Sequence, residues 1–93
     1  MDAVCAQIDL MKTNIQFESV CEQILFLNQR MQYLETRYAR ASRVRNKSAL
    51  YSLRLQLSTL ESVRNVFVEM ATRKADRLVS LECELFLREE NIQ

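Results

Sequence analysis

The stretch FESVCEQILFLNQRMQYLETRYARA, residues 17–41, carries apolar side chains at alternating steps of three and four residues. Such spacing fills the a and d positions of successive heptads, which form the apolar seam between two packed helices. With Phe17 at position a, the seam consists of Phe17, Val20, Ile24, Leu27, Met31, Leu34, Tyr38 and Ala41. The same frame extends backwards, more weakly, through Thr13, Leu10, Ala6 and Ala3. The pattern predicts a long amphipathic helix.

A second heptad frame occupies the other half of the chain and is out of phase with the first. Extending the first frame would place Arg45, Ser48 and Ser52 in the seam, where apolar side chains are expected. The second frame consists of Leu50, Leu53, Leu57, Leu60, Arg64, Phe67, Ala71, Lys74, Leu78, Leu81 and Leu85. The change of phase between residues 42 and 48 therefore indicates a turn or a local defect.

The two frames are nearly equal in length, which favours a chain that folds back on itself. Each stretch of about 42 residues would be about 63 Å long at 1.5 Å per residue, and two such helices suit an antiparallel hairpin. We therefore predict an all-α fold: a long antiparallel two-helix hairpin, similar to a coiled coil, in a single helical domain over residues 1–93. The predicted bounds are about 2–43 for the first helix, about 44–48 for the turn and about 49–90 for the second helix.

Polar residues near the change of phase indicate how the turn would be closed. Asn46 is best suited to a left-handed position ending the first helix, because the chain has no glycine. Ser48 can cap the second helix through its hydroxyl group. Two alternatives remain open: one continuous helix with a stutter, and a further break where Ser58 to Glu61 fits a capping box.

The hairpin predicts which residues lie side by side. With the turn centred near residue 46, positions whose numbers sum to about 91 are neighbours, so that Leu34 meets Leu57, for example. Ile24 then meets Phe67, and Leu10 meets Leu81. The two charged residues of the seam, Arg64 and Lys74, would face Leu27 and Phe17. We expect their stems to lie on these apolar neighbours while the charged groups extend to water.

The chain has more apolar residues than a two-helix seam requires. Two residues in seven suffice for such a seam, yet 48% of the residues are hydrophobic. We predict that the surplus forms an association surface, covered by a second copy in a four-helix bundle or, alternatively, by a different protein. The predicted interface residues are Val4, Ile8, Met11, Ile15, Leu25, Phe26, Val63, Val66, Met70, Val79, Phe86 and Leu87.

Basic residues concentrate around the predicted turn, in what we call the basic tip: Arg37, Arg40, Arg43, Arg45, Lys47 and Arg54. No acidic residue lies between Glu35 and Glu61. Acidic residues gather at the opposite, open end of the hairpin: Asp2, Asp9, Glu82, Glu84, Glu89 and Glu90. The arginines that end the first helix suit its dipole, but the tip can also dock an acidic protein surface or, weakly, nucleic acid.

The composition argues against catalysis. The chain has no Gly, Pro, His or Trp. It therefore lacks a histidine base and a glycine-rich phosphate loop, and it has no metal-binding motif. We predict no enzyme activity, cofactor, metal site or small-molecule substrate. The function predicted from the sequence is that of a protein–protein interaction and assembly module, with a nucleic-acid-binding protein or an obligate subunit of a larger hetero-complex as alternatives.

Several features favour the cytoplasm or nucleus as the location. The N-terminal residues MDAVCAQIDLMK do not have the pattern of a signal peptide, and no apolar run is long enough to span a membrane. Three cysteines without metal-ligand spacing suggest reduced thiols. The segment LVSLECELFL, residues 78–87, has the leucine spacing of nuclear export signals, but three of its leucines are also predicted seam residues.

Overall fold

The computed structural model describes residues 3–92, with side chains described as far as Glu89. Within this range the chain forms two α-helices, α1 (Ala3–Arg43) and α2 (Lys47–Ile92), and no strand. The helices fold back on each other as an extended hairpin measuring 70 × 15 × 15 Å. The predicted all-α hairpin is therefore confirmed, and the continuous rod is wrong. Asp2, the predicted start of the first helix, lies outside the described residues.

The seam between the helices follows both predicted heptad frames. Apart from Ala3 at the open end, every predicted seam position is buried or half-buried. Leu34 and Leu81 are the largest fully buried side chains of the described part. Near the turn, Leu34, Ala41 and Leu53 form a core cluster. The side chains packed against this cluster are Tyr38, Ala49, Leu50, Leu57 and Leu60.

Three hydrogen bonds across the seam agree with the predicted register. Arg54 Nη2 donates to Tyr38 Oη at 2.9 Å, near the turn. Arg64 Nη1 donates to Asn28 Oδ1 at 3.2 Å in the middle of the hairpin, and Lys74 Nζ donates to Gln16 Oε1 at 3.1 Å nearer the open end. The residue numbers in these pairs sum to between 90 and 92. Arg64 and Lys74 are half-buried, so each lays its stem in the seam and brings its cationic group to an amide oxygen of α1.

The turn is shorter than predicted, because α2 begins at Lys47. Two backbone hydrogen bonds end α1: Asn46 N donates to Ala41 O at 3.0 Å, and Arg45 N donates to Ser42 O at 3.2 Å. This is the Schellman arrangement, in which the residue after the C-cap is left-handed. That residue is Arg45, with φ 55°. The prediction of Asn46 at this position was wrong.

Asn46 has a different task at the start of α2. Its Oδ1 accepts a hydrogen bond of 3.1 Å from Ala49 N, which is the contact of an N-cap residue. Asn46 O also accepts the first helical hydrogen bond, from Leu50 N. Ser48 lies inside the helix, so its prediction as the cap was wrong. Because Asn46 serves the end of one helix and the start of the next, three residues suffice for the connection.

The alternative break near residues 58–61 is also wrong. Helix α2 passes through this segment without interruption. The Ser58 carbonyl group accepts a hydrogen bond from Ser62 Oγ at 3.1 Å, and Thr59 Oγ1 donates to Leu55 O. Such bonds to the preceding turn satisfy serine and threonine hydroxyl groups inside a helix. The S-T-L-E sequence therefore resembles a capping box without starting a helix.

Replacing Arg45 by glycine is expected to raise the free energy of unfolding by about 1 kcal/mol, because a residue with a Cβ atom is disfavoured in the left-handed region. For a chain of this size the thermal midpoint would rise by about 4–8 °C. Arg43→Gly is the matched control: it removes the same charge from a helical position and should destabilise by about 1 kcal/mol. Circular dichroism melts of both variants test this, and a lower midpoint for Arg45→Gly would contradict it.

Candidate interaction surfaces

The hairpin has two flanks, one on either side of the seam. With Phe17 of α1 and Leu50 of α2 at position a, helical geometry of 100° per residue places heptad positions e and b on one side of the seam and positions g and c on the other. The hydrogen bond between Asn28 and Arg64 lies on the first flank, and Arg54 lies on the same flank. Arg30 and Gln56 line one groove on the second flank. Each flank therefore combines side chains from both helices.

The first flank and the adjoining outward positions carry what we call the broad face. Seven of the predicted interface residues lie there, and their exposed fractions range from 57% at Ile8 to 67% at Met11. These seven residues are Val4, Ile8, Met11, Ile15, Leu25, Val79 and Phe86. In the hairpin register, Val4 and Met11 of α1 lie at the levels of Phe86 and Val79 of α2. The open half of the hairpin thus has apolar side chains from both helices on one face.

The other five predicted interface residues lie on the second flank. Phe26 and Val66 occupy the same level there, and Val63 and Met70 lie one turn to either side. Phe26 and Val66 are 63% and 57% exposed, whereas Val63 and Met70 are less than 40% exposed. Leu87, 60% exposed, lies apart from them near the open end. The predicted interface residues are therefore all exposed but belong to two separate surfaces.

Sequence reasoning missed the part of the broad face that lies near the tip. Tyr51 and Leu55 of α2 are 74% and 59% exposed, and they line a groove together with Arg54 and Ser58. Leu55 points outward and also borders the groove of Arg30 and Gln56 on the second flank. Val68, 44% exposed, lies on the same flank in the middle of the hairpin. Tyr51 and Leu55 occupy the same b and f heptad positions as Val79 and Cys83. Following those positions along α2 would have found them.

Two residues of the basic tip are held by tyrosine side chains. The Arg54 guanidinium donates a hydrogen bond to Tyr38 and lies 6.0 Å from its ring centroid. The hydrogen bond, together with the Coulombic interaction with Tyr38, raises the pKa of Arg54 above its usual value. Arg37 lies 5.8 Å from the ring centroid of Tyr33, and Arg30 lies 5.2 Å from the same centroid. These contacts fix Tyr33 and Tyr38 within the tip.

The other four basic residues of the tip extend into water. Arg40, Arg43, Arg45 and Lys47 are all exposed. Among the described residues the salt bridges are Arg73–Glu69 and Arg88–Glu84, both remote from the tip. No described carboxylate therefore offsets these four charges. They present a concentrated positive surface at one end of the rod.

The open end has the opposite charge. Glu82 and Glu89 are exposed, and Asp9 is half-buried. Glu84 Oε1 accepts from Arg88 Nη2 at 3.3 Å, so this carboxylate is partly neutralised within α2. Asp2 and the side chain of Glu90 lie outside the described residues. The hairpin is therefore positively charged at the turn and negatively charged at the open end.

The leucine-rich segment 78–87 contributes mainly to the seam. Leu81 is fully buried, and Leu78 and Leu85 are half-buried. Leu87 is the exposed leucine of the pattern. An export receptor would need these leucines together on one accessible face, so α2 would have to separate from α1 first.

Neither a metal site nor a membrane span can be identified in the described part of the chain. Its Cys, Asp and Glu side chains form no group of three or more that could bind a metal ion. Neither helix is apolar enough over a sufficient length to cross a bilayer. Among the cysteines, Cys5 and Cys83 are exposed and Cys21 is half-buried. The surfaces available for function are thus the broad face, the smaller patch on the second flank and the charged ends.

Comparison with known proteins gave no match: a scan of protein-family models and searches of the curated proteins and of the solved structures found nothing similar to this chain.

Proposed function

We propose that this protein is a non-enzymatic interaction and assembly module that self-associates through its apolar faces and presents its basic tip to an acidic partner. The observation that carries the proposal is the exposure of the surplus apolar residues. Ten of the twelve predicted interface residues are more than half exposed in the single chain. Seven of these ten lie together on the broad face, and an exposed apolar face of this kind is typical of an association site in a protein that folds in water.

The dimensions of the hairpin suit a stable homodimer. One side of a rod measuring 70 × 15 Å offers about 1,000 Å², whereas a stable interface buries about 800 Å² on each partner. A second hairpin laid along the broad face would complete a four-helix bundle. Burial of the apolar part, at about 25 cal/mol per Å², would provide most of the affinity.

The composition of the tip supports a docking role for its charges. Lys47 is the first residue of α2, where the helix dipole disfavours a cation, and the first turn of α2 contains no acidic residue. Arg45 occupies the left-handed position that glycine would adopt more easily. Local sequence choices that oppose stability are expected at functional positions. These two residues therefore favour a role for the tip beyond closing the turn.

Nucleic acid is a weaker candidate for the tip. Binding of single strands depends on aromatic rings on which bases can stack, but the Tyr33 ring already contacts Arg30 and Arg37, and Tyr38 is half-buried and bonded to Arg54. Tyr33 is 51% exposed and Tyr51 74%, and of the two only Tyr51 has no described contact with an arginine. An acidic protein surface therefore fits the tip better than nucleic acid does.

Light scattering coupled to size-exclusion chromatography tests self-association directly. A chain of 11.0 kDa should elute with the molar mass of two copies at micromolar concentration, and dilution should shift it towards one. Helix content measured by circular dichroism serves as the control for folding. A well-folded monomer throughout the micromolar range would contradict self-association and favour a different protein as the partner.

A further inference from the structure

We infer that the second copy lies antiparallel to the first over its whole length, so that the acidic partner of each basic tip is the open end of the other chain. This inference rests on the proposed self-association and specifies its geometry. Two features of the hairpin lead to it: the separation of charge between its ends, and the distribution of exposed apolar residues along the broad face.

The charges at the two ends of the hairpin distinguish the two possible directions of the second copy, parallel or antiparallel to the first. Helices in a bundle lie about 8–10 Å apart, comparable to the Debye length of about 8 Å at physiological ionic strength. Two copies pointing the same way would therefore bring their tips together with little screening between them. Arg40, Arg43, Arg45 and Lys47 have no described carboxylate to offset this repulsion. An antiparallel copy would instead present Glu82 and Glu89 to Arg43, Arg45 and Lys47.

The apolar residues indicate how far the two copies overlap. On the broad face, Met11 and Phe86 lie in the open half, and Tyr51 and Leu55 lie in the tip half. Full antiparallel overlap brings the tip half of each chain against the open half of the other, so that all four are covered. Leu25, near the middle of the hairpin, would meet its own counterpart across the two-fold axis. An overlap confined to the open halves would leave Tyr51 and Leu55 in water.

A distance measurement between spin labels at the tip tests the direction. Val44 is 74% exposed and lies in the turn, so Val44→Cys is a suitable site once Cys5, Cys21 and Cys83 have been replaced by serine. In the full antiparallel dimer the two labels should be about 60 Å apart, the length of 41 helical residues. In a dimer whose copies point the same way they would lie within about 25 Å, which allows for two neighbouring helices and the label arms.

A charge-reversal series provides an independent measurement. Glu82→Lys with Glu89→Lys should weaken the dimer at least tenfold, as should Arg43→Glu and Lys47→Glu together. Combining all four changes exchanges the charges at these positions, so that opposite charges again face each other, and should restore the dissociation constant to within about threefold. In a dimer whose copies point the same way, each end of one copy faces the same end of the other. Every variant would then keep like charges opposite each other, so combining the changes would not restore the dissociation constant. Circular dichroism confirms that each variant remains helical.

The outcomes separate this inference from the function on which it rests. A dimer with labels about 60 Å apart and with charge-exchange rescue supports it. A dimer with a short label distance, or with a separation beyond about 80 Å from partial overlap, overturns the inference and leaves self-association intact. A monomeric wild-type chain overturns both.

Discussion

Leu34→Ala is expected to lower the free energy of unfolding by about 2–5 kcal/mol, the range observed when a buried leucine is truncated and leaves a cavity. Leu34 is 1% exposed and belongs to the cluster with Ala41 and Leu53 beside the turn. A domain of this length has only about 5–14 kcal/mol of stability in total. The loss would therefore be a large fraction of what holds the two helices together.

Urea unfolding followed by circular dichroism measures this effect as a lower midpoint at an unchanged slope. Gln29→Ala is the matched control, because Gln29 is an exposed residue of the same helix and alanine is the better helix former. Its midpoint should change by less than the equivalent of about 0.5 kcal/mol. If Leu34→Ala had as little effect as Gln29→Ala, the seam would not be the core of the fold.

The double change Ile8→Glu and Met11→Glu is expected to prevent self-association without unfolding the hairpin. Ile8 and Met11 are 57% and 67% exposed, so the single chain loses little by their replacement. A symmetric dimer contains each residue twice and would lose four apolar contacts, at least about 4 kcal/mol in all. This corresponds to an increase of about a thousandfold in the dissociation constant.

Light scattering over a dilution series measures that change, and circular dichroism shows whether the helices persist. Ser19→Glu with Ser80→Glu is the matched control: it adds the same two charges at exposed positions on the second flank and removes no apolar side chain. We expect this control to dimerise like the wild type. Equal dissociation by both variants would indicate that net charge, rather than the broad face, governs association.

The seam was predictable from the sequence because its pattern is redundant. Residues such as Val20, Leu27 and Leu53 repeat the same spacing, so that a single exception like Arg64 does not obscure the frame. The register followed from the position of the phase change, and the hydrogen bond between Arg64 and Asn28 agrees with it. The pairing of residues far apart in the chain thus follows from the spacing of apolar residues within each helix.

The details of the turn were not predictable in the same way. Propensity favoured Asn46 for the left-handed residue, but the turn requires that residue one position earlier, at Arg45. Asn46 could then cap α2 through Oδ1, which displaced Ser48 from the predicted task. A capping hydrogen bond to Asn46 and a second helix that begins two residues earlier than predicted offset the cost of one unfavourable backbone conformation. Tertiary geometry therefore outweighed the preference of a single residue.

The division of the exposed apolar residues between two surfaces depends on the direction of both helices. A heptad frame shows that Phe26 and Leu25 lie outside the seam, but not which residues of α2 stand beside them. The hairpin sets Phe26 level with Val66 on one flank and leaves Leu25 on the opposite flank. The sequence thus predicted which residues belong to association surfaces, but not how these residues are divided between the two flanks of the hairpin.

The three-residue turn also determines which of several nearly equivalent pairings the helices adopt. Near the turn the second frame repeats leucine at residues 50, 53, 57 and 60, so sliding α2 along α1 by seven residues would again place leucines opposite apolar partners. Such a slide would need about 10 Å of additional chain between the helices. The span from Val44 to Asn46 is too short to supply it without unwinding a helix end. The length of the connection therefore fixes the register of the two helices. A longer connection would allow the helices to pair in shifted registers, even though no residue of the seam had been changed.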